Sequence, residues 1–175
     1  YEDRIYGSFD YYNSDTEDLL LFVGVPASTG FTTALKNIGK VNNKGLEFNL
    51  TSRNLSGELS WSTDFNYSTN KNEVIELGGN NEPIYSRGSA GVRHVTRIGD
   101  AIGSYYGYVV DGVYQNQSEI DSAPTDILAK APRPGDFRFK DINGDGIINT
   151  DDRTVTGSYN PDYIWGITNR LKYKN

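Results

Sequence analysis

Four stretches of the chain alternate apolar and polar positions with a period of two, the signature of a strand with one apolar and one wet face. Between Arg4 and Tyr12, Ile5, Gly7, Phe9 and Tyr11 fall on one face and Arg4, Tyr6, Ser8 and Asp10 on the other. From Gly45 to Arg53, Leu46, Phe48 and Leu50 oppose Glu47, Asn49 and Thr51. From Ser60 to Ser68, Trp61, Thr63, Phe65 and Tyr67 oppose Ser60, Ser62, Asp64, Asn66 and Ser68. From Ile164 to Tyr173, Trp165, Ile167, Leu171 and Tyr173 oppose Thr168, Arg170 and Lys172. Strands are therefore predicted near residues 4–12, 45–53, 60–68 and 164–173.

The connections between them are unequal. Asn54-Leu55-Ser56-Gly57 reads as a tight hairpin turn, whereas residues 13–44 and 78–162 separate the other strands. Short turns at one end and long loops at the other are the arrangement of an outer-membrane barrel, with the turns periplasmic and the loops extracellular. The predicted fold class is all-β: antiparallel transmembrane barrel strands with long extracellular loops. Within the second connection, Ile102–Tyr114 contains two strand-like runs around Asp111-Gly112. Asp121–Lys130 is expected to form a helical turn, Arg133-Pro134-Gly135 a turn, and Phe137-Arg138-Phe139 a short strand.

Composition narrows the chemistry. There is no cysteine, so disulfides, thiol catalysis and thiolate metal sites are excluded. There is no methionine either; a chain that opens on Tyr1 and closes on the strand-like Leu171–Asn175 reads as a piece of a longer one. No apolar run approaches the ~18 residues of a membrane helix, which leaves barrel strands untouched as a possibility. Thirteen Tyr, seven Phe, two Trp and nineteen Gly favour strands and turns over helices. The net charge of −6 argues against a nucleic-acid partner. Ten acidic against five basic residues lie in 111–162, where a cation would be favoured.

That acidic excess surrounds Asp141-Ile142-Asn143-Gly144-Asp145-Gly146-Ile147-Ile148-Asn149-Thr150-Asp151-Asp152. Its oxygen-bearing residues have the spacing of the loop that wraps calcium in EF-hand proteins, with a glycine at the sharp turn. The expected Ca²⁺ ligands are Asp141, Asn143, Asp145, the Ile147 carbonyl, Asn149 and Asp152, in a structural role. The alternative is a solvated loop of Asx turns, since Asp, Asn and Gly are also turn residues. No helix is expected on either side.

Several blocks resemble the SusC/RagA family of TonB-dependent outer-membrane transporters. They are Asn37–Phe48, Gly103-Ser104-Tyr105-Tyr106-Gly107-Tyr108 leading to Asp111-Gly112-Val113-Tyr114-Gln115, and Pro134–Gly146 continuing through Asp151-Asp152-Arg153 to Gly157-Ser158 and Pro161. Tyr11-Tyr12-Asn13 followed by Asp18-Leu19-Leu20 fits as well. The resemblance implies part of a plugged barrel of about 22 strands in the outer membrane of a Gram-negative bacterium. It also implies coupling to TonB through an N-terminal region, a SusD-like lipoprotein lid, and import of oligosaccharides or, in some members, peptides. No enzyme activity is implied.

The remaining candidates are weaker. His94, the only histidine, sits between Arg93 and Arg97 and is read as a surface residue; no nucleophile or zinc constellation accompanies it. Tyr105, Tyr106, Tyr108 and Tyr114 suit either stacking on sugar rings or, for most of them, packing the loop's own core. Trp61, Tyr67, Trp165 and Tyr11 suit a lipid-facing girdle. Gly78-Gly79 and Gly88–Gly91 lack any phosphate-loop pattern and read as turns. The rival fold is a soluble calcium-stabilised β-sandwich carbohydrate-binding module. It is separated from a barrel by what covers Trp61, Phe65, Leu46, Phe48 and Leu50: a second sheet, or nothing but lipid.

Overall fold

The computed structural model describes residues 4–24, 28, 30–31, 33–37, 39–78, 81–88, 92–129 and 131–174. The described residues fall into two compact units. The first comprises residues 1–83, 97–102 and 160–175, the second residues 84–96 and 103–159.

The first unit is built on an antiparallel sheet. Its strands are β1 (Ile5–Thr16), β4 (Lys40–Leu55), β5 (Leu59–Ser68) and β15 (Ile164–Tyr173), hydrogen-bonded in that order. Register puts Phe9, Phe48 and Tyr67 in one row, continued by Trp165, and Leu50, Phe65 and Ile167 in the next. All of these lie on one face. Ile5 (61% exposed), Phe9 (66%), Trp165 (59%) and Leu171 (66%) show that no second layer covers it among the described residues. A sandwich would have sealed these side chains between two sheets. Phe48 and Phe65 instead pack tilted against each other within the single layer, ring centroids 6.1 Å apart.

The apolar face carries one polar row. Asn169 Oδ1 accepts from Trp61 Nε1 (3.0 Å) and Thr63 Oγ1 (2.7 Å), and Thr63 Oγ1 accepts from Asn54 Nδ2 (2.8 Å). Polar groups facing an apolar medium are costly unless paired, and these pair with each other. The Asn54 bond also explains a shift in the turn. A bulge between Arg53 and Leu55 keeps Asn54 in the strand, so the connection is Ser56–Glu58, not Asn54–Gly57.

β1 and β4 run past their predicted ends because pairing continues where alternation stops. Asn42 Nδ2 donates to Asn13 (2.6 Å) and Asp15 (2.8 Å), and Lys40 pairs with Asp15 (2.9 Å) and Glu17 (3.0 Å). The connection from β1 to β4 holds its own hairpin, β2 (Leu20–Gly24) on β3 (Thr33–Asn37). Toward its N-terminal end β4 leaves β5 and pairs with β6 (Lys71–Glu76) along Val41–Lys44. Gly45 sits at the change of partner, where a Cβ would lie 2.0 Å from the Thr69 carbonyl oxygen and 2.6 Å from the Tyr12 hydroxyl. Val41, Val74 and Leu77 form a small core beside this joint. Val74 donates its N–H to the Asp100 carbonyl and accepts from Gly99, both at 2.9 Å.

The second unit contains the antiparallel sheet β14-β9-β8-β7, made of Thr154–Gly157, Ser104–Gly107, Arg93–Thr96 and Ile84–Arg87. β10 (Val110–Val113) pairs with β12 (Phe137–Phe139), and β11 (Thr125–Asp126) pairs in parallel with β13 (Ile147–Ile148). Asp111-Gly112 does not separate two strands as expected. It lies inside β10, where a register shift between Val110 and Gly112 and a φ of +129° at Gly112 absorb the irregularity. The helical turn is also displaced: α1 spans Gln117–Ser122, N-capped by Asn116, and ends before Pro124. Pro disfavours helical geometry in the residue before it, so the helix stops where Asp121–Lys130 was expected to begin one. The turn at Arg133–Asp136 is present, Asp136 N–H donating to the Arg133 carbonyl at 3.0 Å. Gly79, the 89–91 segment and Lys130 lie outside the described residues.

Candidate functional site

The acidic loop is closed by its own side chains. Asp141 accepts from the N–H groups of Gly144 (2.7 Å) and Gly146 (2.8 Å), one on each oxygen. Asn143 Oδ1 accepts from Asp145 N–H (3.0 Å), and Asp145 Oδ1 from Ile147 N–H (2.8 Å). Gly144 and Gly146 take φ of +76° and +81°, the left-handed region that only glycine enters freely. A single 3-10 turn, Thr150–Asp152, ends the loop in a capping box, Asn149 Oδ1 accepting from Asp151 N–H and Asp152 reaching back to Asn149 N–H.

The six expected ligands share one loop, in which the Asp141 and Asp152 side chains interact. Among the described residues, no group of three or more His, Asp or Glu side chains is gathered closely enough to hold a metal. The carboxylates accept backbone amides: Asp141 and Asp145 those of the turn that follows them, Asp152 that of Ile142 at the start of the loop as well as that of Asn149. Asp152 is fully buried, with Ile142 N–H on one oxygen and Asn149 N–H on the other, both at 2.8 Å. The Asn149 amide is the largest influence holding its carboxyl below the usual carboxylate range, against the opposing cost of burial.

Most of the loop tyrosines pack. Tyr114 is buried, and burial pushes its phenol up. Tyr106 lies tilted on Tyr85 and Tyr108 on Phe139, with the Arg153 guanidinium 5.0 Å from the Tyr108 ring centre. Tyr105 is more open, against His94. His94 is not the surface residue expected. It is half-buried in β8 with Nδ1 3.0 Å from the Gly103 carbonyl oxygen.

The wet face of the β1-β4-β5-β15 sheet holds what the sequence did not single out. Register aligns Arg53, Ser62 and Arg170 in one row, Thr51, Asp64 and Thr168 in the next, and Ser60 with Lys172. Asp64 accepts from Thr51 Oγ1 (2.7 Å) and is bonded by Arg170. Alternation assigns each of these residues to the polar face; only strand pairing makes neighbours of positions more than a hundred residues apart. Nearer the joint the same face turns acidic, Asp10 lying opposite Glu47.

An uncovered apolar face backed by a polar one defines a membrane-barrel wall, and comparison with known proteins agrees. Residues 1–126 match the family described as TonB dependent receptor-like, beta-barrel, and the chain belongs to that family. It is 40% identical over 180 residues to TonB-dependent receptor P3 of Formosa agariphila, covering 100% of this chain and 18% of that one. It is 29% identical over 182 residues to TonB-dependent receptor SusC of Bacteroides thetaiotaomicron, covering 98% and 17%. Its fold matches the structure of the RagAB peptide transporter with a TM-score of 0.73 at 17% identity, over 99% of this chain and 18% of that one. The resemblance to the SusC/RagA family is borne out, and these relatives are receptors and transporters, not enzymes. The chain spans less than a fifth of the length of the relatives it matches.

Proposed function

We propose that this chain supplies part of the barrel wall and extracellular loops of an outer-membrane importer that takes up oligosaccharides, works with a SusD-like surface lipoprotein and draws energy from TonB. The observation that carries the reading is the uncovered face bearing Phe9, Phe48, Phe65, Trp165 and Ile167, which suits contact with lipid. The relative named SusC supports an oligosaccharide cargo through the resemblance. The RagAB neighbour, a peptide transporter, sets the competing cargo. The test is uptake by cells carrying the full-length receptor, offered fluorescent oligosaccharides and oligopeptides, against a strain lacking it. Receptor-dependent accumulation of oligosaccharide alone is expected; peptide accumulation alone overturns the cargo, and accumulation of neither overturns the importer.

Calcium at the acidic loop is a second proposal. It is supported by the oxygen spacing and by the lone pair that remains on a carboxylate oxygen after one backbone bond. Titration of the full-length receptor with CaCl₂ should release or absorb heat in the native protein and not after Asp145→Ala. No heat from the native protein would leave the loop as a purely hydrogen-bonded turn.

A further inference from the structure

We infer that the wet face of the sheet holds an oxyanion site at its short-turn end, built from Arg53, Ser60, Ser62 and Lys172 with Arg170 beside them. These residues line one open cavity of about 480 Å³. β5 runs down its middle and contributes Ser60, Trp61 and Ser62, the two serines on the wet face. β4 raises Arg53 on one side and β15 raises Arg170 and Lys172 on the other. With strands ~4.8 Å apart, the two cationic walls stand ~10 Å apart across the serines.

The charged side chains lining this cavity, Arg53, Arg170 and Lys172, are all cationic, and the Glu58 carboxylate lines an adjoining cavity with Ser60, Lys172 and Lys174. Arg170 is bound to Asp64, and Glu58 at the turn is 3.8 Å from Lys174. The side chains of Arg53, Lys172, Ser60 and Ser62 have no partner among the described residues. Arg53, in register with Ser62 and Arg170, and Lys172, in register with Ser60, lie diagonally across the two hydroxyls, so an acceptor seated over the serines lies between both charges. The fitting acceptor is a carboxylate, sulfate or phosphate group, which a guanidinium can bind through two parallel bonds. This rests on the proposed importer only in taking the face as inward. The oxyanion then comes either from a diffusing ligand or from an acidic side chain of the receptor's own polypeptide.

The test uses purified full-length receptor and sodium sulfate at matched ionic strength, with Arg53→Gln/Lys172→Gln compared with native protein. Saturable heat in the native protein, weakened at least about tenfold in the variant, establishes a site for a free oxyanion; two lost charge-assisted bonds suffice for that factor. No sulfate heat in either protein, with a lower melting temperature of the variant that converges on the native one at high salt, establishes an internal carboxylate as occupant. Equal sulfate heats, or no heat together with equal melting at low and high salt, overturn the site. The charge-conserving Arg53→Lys/Lys172→Arg variant serves if the double glutamine variant fails to fold, and should retain most of the native response. Sulfate binding needs no transport, so its failure is distinct from failure of the importer reading.

Discussion

Asp152 Oδ1 accepts the backbone N–H of Ile142 at 2.8 Å, tying the end of the acidic loop to its beginning. The other oxygen holds the Asn149 amide, so one buried carboxylate fixes both ends of the turn. Removing it by Asp152→Ala should speed hydrogen exchange at the Ile142 and Asn149 amides at least about tenfold, the factor expected from one lost charge-assisted bond. Exchange in the β5 strand should not change.

The same carboxylate sets a pH dependence. Its folded pKa lies below the unfolded value, so the unfolded loop binds the proton more readily. The stabilisation is complete above the unfolded value of about 4 and is lost as pH falls through the depressed folded value. The protection of the Ile142 amide, its exchange rate relative to that of an unstructured amide at the same pH, should therefore be constant from neutrality to about pH 5 and fall below about pH 4. In Asp152→Asn that acid-induced step should be missing.

Phe65 lies on the uncovered face and Ser62 on the wet face of the same strand. Phe65→Arg should destabilise the membrane-inserted receptor by ~2–4 kcal/mol, the cost of a cation near the bilayer centre. Ser62→Arg should cost far less. Refolding of full-length receptor into lipid vesicles, followed by urea titration, gives both values. Equal costs would contradict the assignment of faces.

Gly45 has no room for a side chain, because its Cβ would meet the Thr69 carbonyl at 2.0 Å. Gly45→Ala should cost at least ~1–3 kcal/mol, as overpacking does when the obstacle is backbone. Gly107→Ala is the control: nothing lies within 4 Å of its Cβ position, and a change within ~0.5 kcal/mol is expected.

The sidedness of the wall can be read with thiols, since this chain contributes none of its own. Cysteines at Ser86 and Lys140, in the long connection, should react with a membrane-impermeant maleimide on intact cells. A cysteine at Glu58, in the short turn, should react only after lysis. The reverse pattern would invert the topology.

What the sequence revealed depended on what leaves a periodic trace. The four wall strands alternate because one face is apolar and uncovered and the other polar, and their positions could be read directly. The extensions of β1 and β4 left none, because Asn13, Asp15 and Asn42 are polar and pair through side-chain bonds. The helix left no periodic trace because Gln117–Ser122 has a single apolar residue, Ile120, and is set instead by the Asn116 cap at its start and Pro124 beyond its end. The acidic loop was legible as a loop of defined spacing, but spacing does not say which backbone amides its carboxylates accept. Arg53, Ser62 and Arg170 were individually visible as wet-face residues; their adjacency belongs to register, which alternation alone leaves open.

β4 exchanges β5 for β6 at Gly45, and that exchange has an evolutionary side. Residues added in the connections beyond Thr16 and Glu76, where the pairing of β1 and β6 with β4 has ended, break none of the ladder bonds that hold the wall, and each doubling of a flexible connection costs only ~0.6 kcal/mol in closure entropy. Descendants of such a receptor can therefore trade their decorations freely while the membrane keeps the scaffold constant. The glycine marks the seam at which new tastes can be stitched onto an old frame.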